Sequence, residues 1–393
     1  MNKSKDFIFS ILSNVILMFL LQLFLLPVYS KIHTPQEFGA FILLLTLVNI
    51  ISPILGNTLN NIRLINKTNF NLIESEYLCL VIIGSFIVMI ITMIYSFVNV
   101  FSLMDTIFSG LWAAFLLIRS YLFVYYRLDF RFKSLLYISI AVSFVMLIGG
   151  VSMYFMHVSI FIVLFASEFI MTILMIIDYR RKFENFRLKF LNNEDFKNYI
   201  ELIGANSVLN LINYSDRILL NLFLGTIYVP LFFVATTIGK ISNLLINPIV
   251  TVLLSYEVDS KGQDTIENVK KVFKIIMVVS IMMSIVISIV SWVFIYVFYN
   301  EYISKVQALI FLANLGVILM SSTAVLQIKL VANSQFRNNL MINVMTLIII
   351  VLFSAILVKF FNVYGYAIAL IISAMYKHFA IYHKVMKIIP NKG

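Results

Sequence analysis

Charge is scarce in this chain: 12% of its 393 residues are Asp, Glu, Lys or Arg, against 62% hydrophobic. So little polar surface cannot cover a water-soluble domain. Cys79 is the only cysteine, which excludes an intrachain disulfide. The four histidines (His33, His157, His378 and His383) are scattered without metal-ligand spacing, so no metal site is expected. No Gly-rich phosphate loop, catalytic triad or metal motif occurs. The chain is therefore read as needing no cofactor. Two glycosylation-like triplets, at Asn66 and Asn213, fall in a cytoplasmic loop and a membrane span on the reading below and are coincidental.

What the chain has in abundance is long apolar runs. Its mean hydropathy is +1.00, and runs of about 20 residues recur from end to end, the length that crosses a bilayer. The first, Phe7 to Tyr29, exceeds the roughly 7–15 residues of a signal-peptide core and has no small-residue cleavage site, so it reads as a retained helix. Charged and turn-forming breaks predict about twelve spans, at 7–29, 38–60, 77–98, 103–125, 134–155, 158–177, 199–224, 229–255, 274–299, 306–328, 340–358 and 363–382. An even number puts both termini on one side. Of the 29 Lys and Arg, 23 fall on the side of the termini and three (Lys31, Lys305 and Lys359) on the other. Positive charge stays cytoplasmic, which predicts a multi-pass membrane protein with both termini inside. The net charge of +11 is thus explained by topology, and no nucleic-acid partner is expected.

The longest hydrophilic connection lies at the midpoint. It predicts three parts: an N-terminal six-helix lobe at 1–177, a cytoplasmic linker at 178–198, and a C-terminal six-helix lobe at 199–393. A shift of 191 residues lays "EFGAFILL" over "YVPLFFVA". It also lays Asn49, Ser52, Gly56 and Asn60 over Lys240, Asn243, Asn247 and Thr251. Each set is spaced i, i+3, i+7, i+11, one face of a helix. The expected fold class is an all-α membrane protein whose halves are related by a pseudo-two-fold axis along the membrane normal.

A third seam runs along the seventh span: Asn206, Asn210, Asn213, Arg217 and Asn221, with Asp216 beside it. Facing lipid, Asp or Arg at a helix centre costs about 2.5–3.5 kcal/mol. The seams must therefore face protein or a water-filled cavity. As interhelical glue, each such side chain contributes about 0.6 kcal/mol. Packing does not require a cation near mid-depth, whereas a cavity for a polar or anionic substrate does. Lys240, roughly 16 Å from the outer end of its helix at 1.5 Å per residue, is too deep to reach the surface and is assigned to the cavity. Arg119 either joins it or reaches the cytoplasmic interface. Asp216 and Arg217 either line the cavity or anchor neighbouring helices. Glu168 either neutralises a membrane cation or titrates as an ion-coupling group, a role also open to Asp216.

Two stretches carry a family resemblance. "LPVYSKIHTPQEFGAFILLLTLVNIISPILGNTLNNIRLI" (26–65) and "YSDRILLNLFLGTIYVPLFFVA" (214–235) resemble the first hairpin and the Asp-Arg helix of the Wzx-type oligosaccharide flippases. These belong to the multidrug/oligosaccharidyl-lipid/polysaccharide exporter superfamily. The chain departs from the pattern at Pro230, where that family usually has glycine. The resemblance implies a V-shaped, two-lobed transporter with a basic central cavity. It implies movement of an undecaprenyl-pyrophosphate-linked oligosaccharide between leaflets, with membrane lipid around it and coupling to H+ or Na+. It also adds Arg63, which closes the second helix, to the candidate cavity residues. A drug or metabolite exporter of the same superfamily is the main alternative. A polysaccharide polymerase fits less well, because every external loop is short.

Overall fold

The structure is a computed structural model that describes residues 3–66, 74–180, 193–241, 266–333 and 335–388. Among these residues there are helices and no strands. The chain divides into two compact units, Met1–Ser207 and Val208–Gly393.

In the first unit, α1 (Lys3–Leu20) runs through a π turn (Leu21–Leu25) into α2 (Leu26–Ile32). Pro27 explains the interruption: it has no N–H to continue the ladder, and the neighbouring Leu26 N–H bonds back to Leu21 O. The turn into α3 (Pro35–Ile65) is set by a capping box. Glu37 N–H donates to Thr34 Oγ1 at 3.3 Å, and Thr34 N–H donates to Glu37 Oε2 at 2.8 Å. Two orphan donors of the helix start are thereby satisfied, and Pro35 occupies the position where no N–H is needed. The TPQEF segment of the hairpin motif is thus a helix-start signal. There follow α4 (Glu74–Val98), α5 (Leu103–Leu128), α6 (Phe132–Met156) and α7 (Ile160–Asp178). Ser102 and Ser159 cap α5 and α7, and Ser159 Oγ donates to Asp105, tying the two starts together.

The division between the units falls inside α8 (Asn193–Leu224). Gly225 ends that helix at φ 95°, a left-handed conformation that costs a side chain dearly. The following helix, α9 (Thr226–Ile241), is described as far as Ile241. Pro230 lies in its opening turn, where a missing N–H breaks no helical bond. The second unit continues with α10 (Ile266–Phe298), α11 (Asn300–Ala332) and α12 (Phe336–Ile388). The last is two helices in one run, bent at Asn362, whose φ of 49° and ψ of −133° are non-helical. Its core gathers Val269, Ile276, Leu326, Leu330, Ile342, Ile381 and Val385 from α10, α11 and both arms of α12.

Nine described helices are long and apolar enough to cross a membrane. The twelve expected spans are reconciled with that number helix by helix. The expected spans at 340–358 and 363–382 are the two arms of α12, α9 is described only in part, and α8, with its asparagines, is less apolar than the nine.

Candidate functional site

The second unit holds the charges that the sequence placed deepest. The α8–Gly225–α9 hairpin is nearly symmetric about its turn, so Arg217 and Phe233, each eight residues from Gly225, lie across from one another. The Arg217 guanidinium sits 4.9 Å from the Phe233 ring centroid and 5.0 Å from that of Tyr214, one turn back on its own helix. Such a cation–π sandwich suits a desolvated arginine. Asp216 turns towards α9, where Lys240 Nζ donates to its Oδ2 at 2.7 Å and to Asn213 O at 3.4 Å. Asp216 and Arg217 are buried, at 3% and 5% exposure.

This geometry alters the role assigned to Lys240. Its charge is neutralised within the hairpin by Asp216, the residue that the helical wheel rotates away from the seam. The triad of Asp216, Arg217 and Lys240 carries a net charge of about +1 by formal counting at neutral pH. Next to it, Ser215 Oγ and the Tyr366 hydroxyl are 2.8 Å apart, and the Tyr366 ring stands perpendicular to Phe232. The α12 face bearing Tyr366 therefore packs on both α8 and α9.

The seam of asparagines does not form one uniform surface. Asn206 belongs to the first unit, where its Nδ2 donates to Thr58 Oγ1 at 3.0 Å. Asn210 is half-buried and Asn213 exposed. Asn221 accepts from Thr226 Oγ1 at 2.9 Å and braces the hairpin turn. Asn243 and Asn247 lie outside the described residues.

In the first unit, the α3 stripe expected to face a cavity packs against α5 instead. Ser52 Oγ donates to Ala113 O at 2.8 Å and Asn60 Nδ2 to Ser120 O at 3.1 Å. Between them, a Cβ on Gly56 would stand 2.6 Å from Leu117 O, so the two backbones approach as closely as glycine allows. Arg127 donates to Asn60 Oδ1 at 2.9 Å and completes that amide. Of the stripe, Asn49 alone is only half-buried. Small and polar residues are what close helix packing requires in a bilayer, as much as what a cavity requires.

The remaining candidates are ion-paired within the first unit. Arg119 Nε donates to Glu168, joining α5 to α7 beside the Phe115, Phe165 and Phe169 rings. Arg63 Nε and Nη2 both bond Glu74 Oε2 at 3.0 Å, while Tyr121 and Tyr125 hydroxyls donate to Glu74 Oε1 at 2.8 and 2.7 Å. Glu74 thus accepts four hydrogen bonds from two helices. Sequence reasoning missed it because it precedes the apolar run of its span; Tyr121 and Tyr125, four apart on one face of α5, were the available signal. Beyond the end of α7, burial pushes the Tyr179 hydroxyl up to about 12. It stays protonated and donates to Tyr125 O at 3.2 Å. A cavity of about 340 Å³ lies where α3 meets the start of α8, lined by Ile62, Asn66, Asp195, Asn198, Glu201 and Leu202. Among the described residues no group of three or more His, Cys, Asp and Glu could hold a metal ion.

No protein-family model and no curated protein sequence matches the chain. Solved structures do. An inward-facing multidrug resistance MATE family transporter of the MOP superfamily aligns over 97% of this chain and 94% of its own, at TM-score 0.64 and 13% identity. A MOP superfamily transporter from Pyrococcus furiosus, described as having a binding pocket of reversed polarity, aligns over 98% and 94% at TM-score 0.64 and 14% identity. An outward-facing MATE family transporter aligns over 97% of both chains at TM-score 0.61 and 13% identity. Helical throughout its described residues, with nine helices long and apolar enough to cross a membrane, the chain has the two-lobed fold of the MATE transporters of the MOP superfamily.

Proposed function

We propose that this chain is a transporter of the MOP superfamily that flips an undecaprenyl-pyrophosphate-linked oligosaccharide across the bacterial cytoplasmic membrane. The product would serve surface polysaccharide synthesis, whether capsular, O-antigen or other cell-wall polymer. The observation that carries the reading is the buried pair of cations, Arg217 and Lys240, that α8 and α9 bring together beside Asp216. A net positive charge in membrane-crossing helices is expensive unless the protein or a ligand balances it. An anionic pyrophosphate suits a stretch that gathers two cations, while the lipid tail stays in the bilayer. The resemblance of the Asp-Arg helix and the first hairpin to the oligosaccharide flippases supports the same choice of substrate.

In this proposal the chain works by alternating access, presenting the α8–α9 charges to one side of the membrane and then the other. No covalent step is required, so it is not an enzyme. Both termini are cytoplasmic, and the lobes are 1–177 and 199–393, joined by the linker at 178–198. Glu168 and Asp216, the two acids placed deep within spans, are held by Arg119 and Lys240. Coupling to H+ or Na+ through either would have to break an ion pair.

Reconstitution in proteoliposomes with a fluorescent undecaprenyl-pyrophosphate oligosaccharide tests the proposal. Appearance of the sugar on the opposite leaflet, dependent on Arg217, is the expected result. The second reading, a drug or metabolite exporter, is favoured by the multidrug MATE transporters that share the fold. Efflux of an organic cation from the same liposomes, without flipping of the lipid, would select it.

A further inference from the structure

Where α10 starts and the second arm of α12 ends, the second unit has a seam that the site above does not use. The two helices meet through Phe273, whose ring centroid lies 4.7 Å from that of Tyr382 and 5.6 Å from that of Phe379. Behind this contact Val269 and Ile276 of α10 join Ile381 and Val385 of α12 in the core of the unit. The two segments run antiparallel. A Cβ on Gly365 would strike Leu357 O, so the chain doubles back between the arms of α12, after α11 and the first arm have each reversed direction.

The open side of the seam is cationic at its rim and apolar below. Lys270 and Lys274 lie about 60° and 100° around α10 from Phe273, turning away from the buried Val269 and Ile276. His383 and Lys387 lie about 40° and 80° around α12 from Phe379, turning away from the buried Ile381 and Val385. Because the helices are antiparallel, the same sense of rotation carries both pairs to the same side. All four residues are exposed. Deeper on that side, Ile281 of α10 is 46% exposed and Phe379 of α12 is 52% exposed. Among the described residues no acid holds these cations; Glu267, one turn before Lys270, forms no ion pair with them. In the first unit, by contrast, the arginines around the ends of α3 and α5 are engaged: Arg63 with Glu74, Arg127 with Asn60 and Arg131 with Asp178. Topology asks only that such ends be basic, and does not require free cations bordering an apolar seam.

We propose that the α10–α12 seam holds an anionic glycerophospholipid of the surrounding bilayer. Its phosphate lies among Lys270, Lys274 and Lys387, and its acyl chains run along Phe379 and Ile281. Complementarity at both levels commits the occupant: a soluble anion would leave the apolar surface uncovered, and a neutral lipid would leave the lysines unmatched. Long lysine side chains place their charge at head-group depth while their stems cover apolar surface. The His383 ring and the Tyr382 hydroxyl add hydrogen-bonding groups at the same level. The inference is independent of what the chain transports.

The test uses the full chain in phosphatidylcholine nanodiscs, with Phe379→Trp as a reporter and lipids brominated on their acyl chains as quenchers. The parent protein supplies the baseline: of its two tryptophans, Trp112 is buried and Trp292 lies towards the other end of α10. Brominated phosphatidylglycerol should quench the reporter at a mole fraction about tenfold or more below that needed for brominated phosphatidylcholine, and should show no such advantage at Trp292. Lys270→Gln, Lys274→Gln and Lys387→Gln together should erase the preference, at about fivefold for each lysine, whereas arginine at the same three positions should keep it. Quenching by phosphatidylcholine needs no charge, so its persistence in the glutamine variant reports an intact seam. Where the triple variant does not fold, the single glutamine variants carry the same test. Equal quenching of the reporter by the two lipids, a preference that survives the glutamine substitutions, or an equal preference at Trp292 would each overturn the inference.

Discussion

Replacing Asp216 by alanine removes the acceptor of Lys240 and leaves two cations, Arg217 and Lys240, in the buried part of the α8–α9 hairpin. Removing one partner of a buried ion pair costs about 3–5 kcal/mol. The Lys240 side chain keeps 19% exposure, so water relieves part of its charge and the low end applies. At roughly 2–4 °C per kcal/mol for a unit of 150–250 residues, the melting temperature should fall by about 6–12 °C. The check is thermal denaturation of purified protein followed by size exclusion. Lys240→Met in the same background should restore part of the loss, because the second substitution removes the charge that the first stranded. The double-mutant cycle should show a coupling of about 1 kcal/mol or more. A fall below about 2 °C, or strict additivity in the cycle, would refute the reasoning and return Lys240 to the role of a lone cavity cation.

Arg217→Ala, by contrast, removes a cation and its ring contacts while leaving the Asp216–Lys240 pair; it should yield folded protein with slowed flipping in the liposome assay. Glu74→Ala strands Arg63 and two tyrosine hydroxyls at once and should lower stability by about 3–5 kcal/mol, measured by the same denaturation assay. Gly56→Leu cannot be accommodated without separating α3 from α5, so its expression as monodisperse protein should fall sharply; a wild-type profile would mean the helices are less closely packed. Cysteines introduced after Lys182 and after Lys305 should label from opposite sides of the membrane, and labelling of both by an impermeant external reagent would break the twelve-span topology.

The helices were legible because bilayer-length apolar runs and their polar breaks leave few alternatives. The apolar run alone places the start of α3 at residue 38, whereas the capping box of Thr34 and Glu37 begins the helix at Pro35. What faces each stripe was not legible. Ser52, Gly56 and Asn60 meet α5, yet the same pattern would serve a cavity, because periodicity identifies a face and says nothing of its neighbour. Pairing across distance was equally hidden. Arg119 and Glu168 are 49 residues apart, and only the packing of α5 on α7 brings them together. The opposite error came from Asp216: a wheel of α8 alone turns it off the seam, but the sharp Gly225 turn folds α9 back onto that side.

Charge accounting then separates packing from transport better than polarity does. Of the five charges placed deep within spans, Arg119 is matched by Glu168 and Lys240 by Asp216. Hydroxyls and amides throughout both units are engaged in helix-to-helix bonds of the kind any bundle uses. Arg217 sets the net sign of the hairpin, and two aromatic faces hold its guanidinium in place. Those ring contacts and the carboxylate 2.7 Å from Lys240 Nζ do different work: the rings orient the guanidinium across the hairpin, while the ion pair ties α9 to α8. The ion pair is the physical reason to assign hairpin stability to Asp216 with Lys240, and to expect their loss to be coupled.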